Sequence, residues 1–221
     1  MEGNALFSDP RFIETASLIE TLLTPNSKVI EVGSNDASFK EYLRQSNNLN
    51  WVTVDKFGHP DIRIDLNGRE TSLPFDDHSI DMIICTEVLE HLSLGSYLVK
   101  EISRVLKKDG SGIISVPNIV SLKSRVRVLL GMLPGNAASG DCGVTLGGTG
   151  YLVDGEWVGG HVVDFHADLL FKYLERGGLK VVRRHNLSLA IRYKGKLMFK
   201  VNPKLVPVNL SDYIFAIVQP K

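Results

Sequence analysis

Three acidic residues stand at or near the ends of short apolar segments, where they could bind a small polar ligand. Glu31 lies inside the run KVIEV, and Asp55 and Asp65 each close a further segment of this kind. Because the carboxyl ends of parallel strands meet at one edge of a sheet, we expect these side chains to surround one crevice. Carboxylates accept hydrogen bonds from ammonium groups, from the paired hydroxyls of a ribose and from exocyclic amines. These residues therefore predict the binding of a ligand that carries many hydrogen-bond donors.

The turn after the first segment reads Gly33-Ser34-Asn35-Asp36 and contains a single glycine. A dinucleotide loop needs G-x-G-x-x-G so that the backbone can approach a pyrophosphate, and Asp36 would place a negative charge beside it. NAD and ATP are therefore disfavoured. An amino-acid-like ligand suits the turn better, because its carboxylate can accept helix N–H groups while its ammonium faces Glu31.

Asp55 and Asp65, the second and third of these acids, could bind further parts of the same ligand. Asp55 lies 22 residues after Gly33, where a carboxylate can accept both hydroxyls of a ribose, and Asp65 could accept from the amine of adenine. An amino acid, a ribose and an adenine together describe S-adenosylmethionine, which is the predicted cofactor. No metal is predicted, because methyl transfer from a sulfonium depends on alignment and Cys85 and Cys142 form no metal-ligand cluster.

The elements that must position these residues alternate between strands and helices. Predicted strands are Lys28–Val32, Asn50–Asp55, Asp61–Asp65, Ser79–Thr86, Gly112–Val116, Leu179–Arg184 and Tyr213–Val218. Five helices are predicted. The first begins at Pro10 after an Asp9 cap, and the second runs from the turn after the first strand to about Gln45. The others cover Leu94–Leu106 with Gly110 as C-cap, Val120–Leu130 and Asp168–Glu175. This order predicts an α/β fold with a mainly parallel, doubly wound sheet and helices on both faces.

A glycine-rich stretch interrupts this alternation. Half of the 20 glycines lie within residues 131–160, where Asp154-Gly155 between apolar flanks predicts a hairpin. The stretch is either a flexible surface insertion or a lid over a binding site. A second hairpin is predicted around Lys194-Gly195. The length of 221 residues predicts one domain over 1–221, with the insertion at about 131–160.

Composition and charge narrow the class of partner. Residues 1–110 carry 18 acids and 11 bases, whereas residues 111–221 carry 7 acids and 14 bases. The basic half is either a solvated face or a means of attracting an anionic substrate. The chain has no net positive charge, so nucleic acid is not a predicted partner. No apolar run could span a membrane and no secretory signal is evident, which predicts a cytoplasmic protein.

Six segments in this order resemble a known family, the class I S-adenosylmethionine-dependent methyltransferases of the small, type 11-like kind. They are EVGSND (31–36), VD (54–55), IDLN (64–67), LPFDDHSIDMIICTEVLEHL (73–92), EISRVLKKDGSGIISVPN (101–118) and GHVVDFHADLLFKYLERGGLKVV (160–182). The resemblance implies a Rossmann-like, seven-stranded sheet whose last strand is antiparallel. Asn35 and Ala37 replace the second and third glycines of the family's first motif.

The same resemblance implies roles for individual residues. Glu31, Gly33 and the backbone of Ser34, Asn35 and Asp36 would face the methionine part of the cofactor. Asp55 would hold the ribose, while Lys56, Asp65 and the N–H of Leu66 would lie at the adenine. Thr86 and Glu87 would lie near the sulfonium and the amino group.

Two histidines are candidates for the acceptor side. His91 follows the fourth strand and His161 follows the glycine-rich stretch, so each could act as a general base for an acceptor that must lose a proton. Each could equally anchor a loop. Asn118 is a further candidate for contact with the acceptor.

The sequence therefore predicts a methyltransferase that acts on a small-molecule acceptor. The segments PNIVSLKSRVRVLLG and GHVVDFH resemble members that modify sugars or glycan precursors. A quinone or lipid methyltransferase, or a non-catalytic binding protein with this fold, are the alternatives. An exposed hairpin is compatible with a homodimer.

Overall fold

The computed structural model describes residues 10–34, 39–43, 50–135, 137, 150–153, 156–185, 189–193, 196–202 and 206–221. The helices are α1 (Pro10–Leu22), α2 (Phe39–Tyr42), α3 (Gly95–Val105), α4 (Leu122–Leu129) and α5 (Ala167–Arg176). The strands are β1 (Lys28–Val32), β2 (Asn50–Asp55), β3 (Ile62–Arg63), β4 (Ile80–Thr86), β5 (Leu106–Pro117), β6 (Gly150–Val153), β7 (Glu156–Gly159), β8 (Leu179–His185), β9 (Leu189–Tyr193), β10 (Lys196–Val201) and β11 (Tyr213–Pro220).

Seven of the strands form one sheet in the order β3-β2-β1-β4-β5-β11-β8. β1 pairs in parallel with β2 and β4, and β4 pairs in parallel with β5. β11 pairs antiparallel with both β5 and β8. The predicted seven-stranded, mainly parallel sheet with an antiparallel last strand is confirmed.

Two apolar clusters cover the two faces of this sheet. One packs α3 and α5 against it and the other packs α1 and α2 against it. Successive residues of β4 alternate between the clusters, since Ile83 and Cys85 belong to the first while Met82 and Ile84 belong to the second. A strand covered on both faces reads as a continuous apolar run, which explains the sequence SIDMIICT.

Two sequence predictions are corrected. Gly110 does not cap α3, because the helix ends at Val105 and Gly110 lies inside β5. A β-carbon there would lie 2.9 Å from the carbonyl oxygen of Ile80, so the glycine permits close approach of β4. The third strand is only Ile62–Arg63, and Asp65 lies beyond its end.

Both predicted hairpins form as antiparallel pairs, β6 with β7 and β9 with β10. Their predicted turn residues, at 154–155 and 194–195, lie outside the described residues, as do Asp9 and half of the glycine-rich stretch. Among the helices that the structure describes, none has the length and apolar character to cross a bilayer.

Arg104 ties the last turn of α3 to the loop that precedes β4. Its guanidinium donates to the carbonyl oxygens of Leu73 and Phe75, each at 2.9 Å. It also donates to the carboxylates of Glu101 and Asp77 at 2.7–2.8 Å. The hydrogen bond from Arg104 is the largest cause of a lowered pKa at Glu101. One side chain thus fixes a whole loop.

We expect Arg104→Lys to lower the free energy of unfolding at pH 7 by about 1–3 kcal/mol, because a lysine ammonium cannot reach all these acceptors at once. The folded-state pKa of Glu101 is lowered, so its contribution is complete above the unfolded pKa of about 4.3 and is lost as the pH falls through the folded value. The loss in the variant should therefore shrink in acid. Urea unfolding at pH 7 and pH 3 measures both effects. Arg176→Lys, at an exposed position on α5, is the control, and an equal loss in both variants would contradict the assignment.

Candidate functional site

The strand order reverses between β1 and β4, and ligands of open α/β sheets bind at such a point, beyond the carboxyl ends of the strands. Connections from β1 lead towards β2 and β3, while β4 leads towards β5 on the other side. Gly33, Asp55 and Thr86 lie at this edge because they end or directly follow β1, β2 and β4. The predicted cofactor residues are thus brought to one edge of the sheet.

Gly33 makes the sharp turn out of β1. Its φ angle is +75°, and a β-carbon would lie 2.2 Å from Cγ2 of Val88. Its N–H donates to the carbonyl of Val54 at 2.8 Å. Ser34 follows and is buried, yet its hydroxyl has no hydrogen-bond partner among the described residues. This turn therefore requires glycine and holds a buried polar atom that a ligand could satisfy.

Glu31 anchors the start of α2. Its carboxylate accepts from the N–H groups of Phe39 at 2.8 Å and Lys40 at 3.2 Å, and from the indole of Trp51 at 3.1 Å. The expectation that the first N–H groups of this helix would face a ligand is therefore corrected at Phe39 and Lys40, since Glu31 uses them. Asn35, Asp36 and Ala37 lie outside the described residues.

The residues expected at ribose and adenine lie beyond β2 and β3. Asp55 is buried, and its carboxylate accepts from the N–H of Phe57 at 3.1 Å. The ammonium of Lys56 lies 3.6 Å from the carboxylate of Asp65, so these two residues meet. A cavity of about 560 Å³ borders Asp65 and is lined by Ile64, Asp65 and residues 67–72. The side chain of Leu66 belongs to the core.

The end of β4 carries a strained residue. Glu87 has a φ angle of +57°, an uncommon value for a residue other than glycine. Its N–H donates to the carbonyl of Ser115 at 3.0 Å, and its carboxylate accepts from the Ser115 hydroxyl at 2.8 Å. Thr86 is half-buried and pairs with Ser115 across the strands. Backbone strain of this kind concentrates at functional sites.

A short 3-10 turn, Leu89–His91, then joins the segment around His161. The carbonyl of Glu90 accepts from Val162 and Val163 at 2.8 and 3.1 Å. Nδ1 of His91 lies 3.3 Å from the carbonyl of Gly160. The His91 and His161 rings make an edge contact with centroids 5.1 Å apart. The two candidate bases, 70 positions apart in sequence, are therefore in contact in the folded chain.

The surroundings of His91 and Glu90 favour the uncharged forms of both side chains. Burial, and then the charge of His161, lower the pKa of His91. Burial, and then the charge of Glu87, raise the pKa of Glu90 well above its ordinary value. The Glu90 side chain is 1% exposed, and neither of its oxygens has a hydrogen-bond partner among the described residues. A buried carboxylate of this kind is costly unless something compensates it.

Comparison with known proteins finds a family match over part of the chain. Residues 30–114, less than half of the chain, match the family model of a methyltransferase domain. This segment is similar to type 11 methyltransferase domains. No curated protein sequence matches the chain significantly.

Solved structures with the same fold support the architecture of this chain. One is an S-adenosylmethionine-dependent methyltransferase from Archaeoglobus fulgidus, with a TM-score of 0.60 and 15% identity over 96% of this chain and 95% of that one. A second, from Mesorhizobium loti, gives 0.59 and 12% identity over 97% and 99%. A third is the [4+2]-cyclase SpnF, at 0.60 and 14% identity over 96% and 85%. At these identities the likeness concerns the fold.

The residues at this edge of the sheet are compatible with S-adenosylmethionine. The unpartnered hydroxyl of Ser34 lies in the loop expected to hold the methionine part. The carboxylate of Asp55 stands at the strand end where ribose hydroxyls are recognised, and Asp65 borders a cavity. One hydroxyl and two accepting carboxylates suit the carboxylate, the ribose hydroxyls and the amine of an amino acid joined to a nucleoside.

Sequence reasoning missed Glu90, and the expected contact of Asn118 with an acceptor stays a prediction. Asn118 is fully buried, and its amide donates to the carbonyls of Val208, Asn209 and Ser211 at 2.8–3.4 Å. Its observed contacts are therefore structural ties, and they give no support to contact with an acceptor. A signal for Glu90 existed in EVLEH, where one charged residue follows the apolar pair Val88-Leu89.

Proposed function

We propose that this methyltransferase transfers a methyl group from S-adenosylmethionine to a small-molecule acceptor of the sugar or glycan-precursor class. The observation that carries the proposal is the meeting of His91 and His161 just beyond β4. His91 follows by four positions Glu87, which with Thr86 is proposed for the sulfonium side of the cofactor. The chain acts in the cytoplasm as a single domain.

The cofactor supplies an electrophilic methyl group, and the protein supplies alignment. Gly33 and Ser34, with the backbone of Asn35 and Asp36, would hold the methionine part, and Glu31 would position that loop through α2. Asp55 would accept the ribose hydroxyls. Lys56, Asp65 and the N–H of Leu66 would hold the adenine, and Thr86 and Glu87 would border the methyl group.

An acceptor with a hydroxyl or a similar group has to lose a proton. The lowered pKa of His91 keeps its imidazole neutral near pH 7, as proton acceptance requires. His161 is buried against it.

The surface beyond β5 supports an anionic acceptor. Four residues separate the end of β5, at the carboxyl edge of the sheet, from the start of α4, which carries Lys123, Arg125 and Arg127. The described part of α4 contains no acidic residue. Cations beside a binding edge attract anions over long range, as a phosphate-bearing or nucleotide-linked sugar would require. A homodimer and the absence of nucleic-acid binding remain predictions.

Two other functions compete with this proposal. SpnF is a cyclase with this fold, so the fold alone does not fix the reaction. The replaced glycines at Asn35 and Ala37 would suit a non-catalytic binding protein, and an apolar acceptor pocket would suit a quinone or lipid. Incubation with a labelled methyl donor and panels of sugar nucleotides, quinones and lipids tests all three. Labelling of sugar nucleotides alone is expected, and labelling of lipids alone would overturn the sugar assignment.

Asp55→Ala is expected to weaken S-adenosylmethionine binding by about 10- to 100-fold. Hydrogen bonds to a charged carboxylate contribute about 1.5–3 kcal/mol each, and the variant removes those to the ribose. Calorimetric titration measures the Kd, and thermal unfolding with excess cofactor checks it. Wild-type protein at 100 times its Kd should gain about 2.7 kcal/mol of stability.

Asp109→Ala is the control for loss of one acid, since Asp109 is exposed on the opposite half of β5. It should bind the cofactor like wild type. Equal affinity in Asp55→Ala and wild type would overturn the ribose assignment, and no binding by wild type would favour the non-catalytic alternative.

A further inference from the structure

Three side chains beside the cofactor edge present ligand atoms to one point. One carboxylate oxygen of Glu90 and one ring nitrogen from each of His91 and His161 lie within 4.8 Å of one another. Nε2 of His91 and Oε1 of Glu90 lie 3.8 Å apart. Atoms bound tetrahedrally at about 2.1 Å from one metal lie about 3.4 Å apart. The widest pair would therefore close by about 1.4 Å at most, within the reach of small side-chain rotations.

The hydrogen bond at Nδ1 prepares His91 for this role. A carbonyl oxygen can only accept, so the contact with Gly160 at 3.3 Å assigns the proton to Nδ1. Nε2 then keeps its lone pair on the side that faces Glu90. Metal-binding histidines almost always donate their second ring N–H to a carbonyl or a carboxylate in this way.

Glu90 provides the second, independent observation. Its carboxylate is buried, and both oxygens are without a hydrogen-bond partner among the described residues. A bound cation would compensate that buried charge. The backbone of Glu90 is fixed by Val162 and Val163, so the carboxylate and the His161 segment are held together.

We propose that Glu90, His91 and His161 bind a divalent transition-metal ion, Zn²⁺ or a neighbour of similar ligand preference such as Co²⁺. Two imidazoles and one carboxylate are a ligand set for such ions, and three protein ligands leave a coordination position open. This site changes the expectation from sequence, which included no metal. The two histidines become ligands of the ion.

The use of this ion in methyl transfer rests on the proposed function. An acceptor oxygen at the open position would be oriented, and its pKa would be lowered by the cation. The existence of the site does not depend on that role, so it is tested by binding in the absence of S-adenosylmethionine.

The test is calorimetric titration of metal-free protein with ZnCl2, with Co²⁺ absorption in the visible range as a spectroscopic readout. We expect one Zn²⁺ per chain. His161→Gln and Glu90→Gln should each bind at least about 100-fold more weakly and lose the Co²⁺ bands. His59→Ala is the matched control, because His59 is an exposed histidine outside the cluster, and it should bind like wild type.

Equal Zn²⁺ affinity in wild type and both cluster variants would overturn the proposal, as would loss of binding in His59→Ala. If His161→Gln fails to fold by circular dichroism, Glu90→Gln decides the outcome. Asp55→Ala should keep full Zn²⁺ binding. Loss of cofactor binding with Zn²⁺ binding intact would therefore count against the proposed function alone, and the converse against the metal site alone.

Discussion

Gly33→Ala is expected to lower the free energy of unfolding by about 2–5 kcal/mol and to abolish measurable binding of S-adenosylmethionine. Left-handed backbone costs a residue with a β-carbon about 1–2 kcal/mol, and the φ angle of Gly33 is +75°. The new methyl group would also meet Cγ2 of Val88 at 2.2 Å, and overpacking of this kind costs about 1–3 kcal/mol. The loop has to move to relieve both effects, and the cofactor residues move with it.

Urea unfolding and calorimetric titration with the cofactor measure the two parts of this prediction. Gly135→Ala is the control, because no atom lies within 4 Å of its β-carbon position and its φ angle is not left-handed. That variant should match wild type in both measurements. If Gly33→Ala kept wild-type stability, the turn would not have the geometry described.

Glu31→Ala is expected to cost about 3 kcal/mol or more and to weaken cofactor binding. The change leaves the N–H groups of Phe39 and Lys40 and the indole of Trp51 without their acceptor. A buried donor that loses its partner costs about 1–3 kcal/mol. The start of α2 is then no longer held to β1, so the loop between them, which carries the proposed methionine-binding residues, is released.

The unfolding midpoint in urea and the Kd for the cofactor report these effects. Glu41→Ala removes an exposed acid from the same helix and should cost less than about 1 kcal/mol. Glu31→Gln should lie between Glu31→Ala and wild type, because its one carbonyl oxygen can keep part of the bonding. Similar losses in Glu41→Ala and Glu31→Ala would show that the carboxylate does not hold the loop.

The strands were predictable because their signal is local. SIDMIICT is continuous and apolar, and it forms β4 with alternate residues facing the two apolar clusters. Gly110 was misread because a glycine after a helix commonly serves as a C-cap, whereas its reason is the distant carbonyl of Ile80. The difference between the two roles lies in tertiary packing, which sequence pattern does not record.

The positions of single site residues were predictable, whereas the contacts between segments distant in sequence were not. The positions of Asp55 and Gly33 followed from strand ends, which are local. The capping of α2 by Glu31 joins residues eight and nine positions apart, and the meeting of His91 with His161 crosses 70 positions. Glu90 was missed because its burial depends on the segment that arrives from residues 160–163.

The position of β11 has a consequence for how the chain is made. This strand comes last among the described elements, yet it lies between β5 and β8 and pairs with both. During synthesis on the ribosome, β5 and β8 leave the exit tunnel before the strand that joins them. Until β11 is inserted, β5 has an open edge and β8 has no neighbour in the sheet. Open edges are templates for aggregation, so a chaperone that shields them would have to act from the emergence of β5 until β11 is in place.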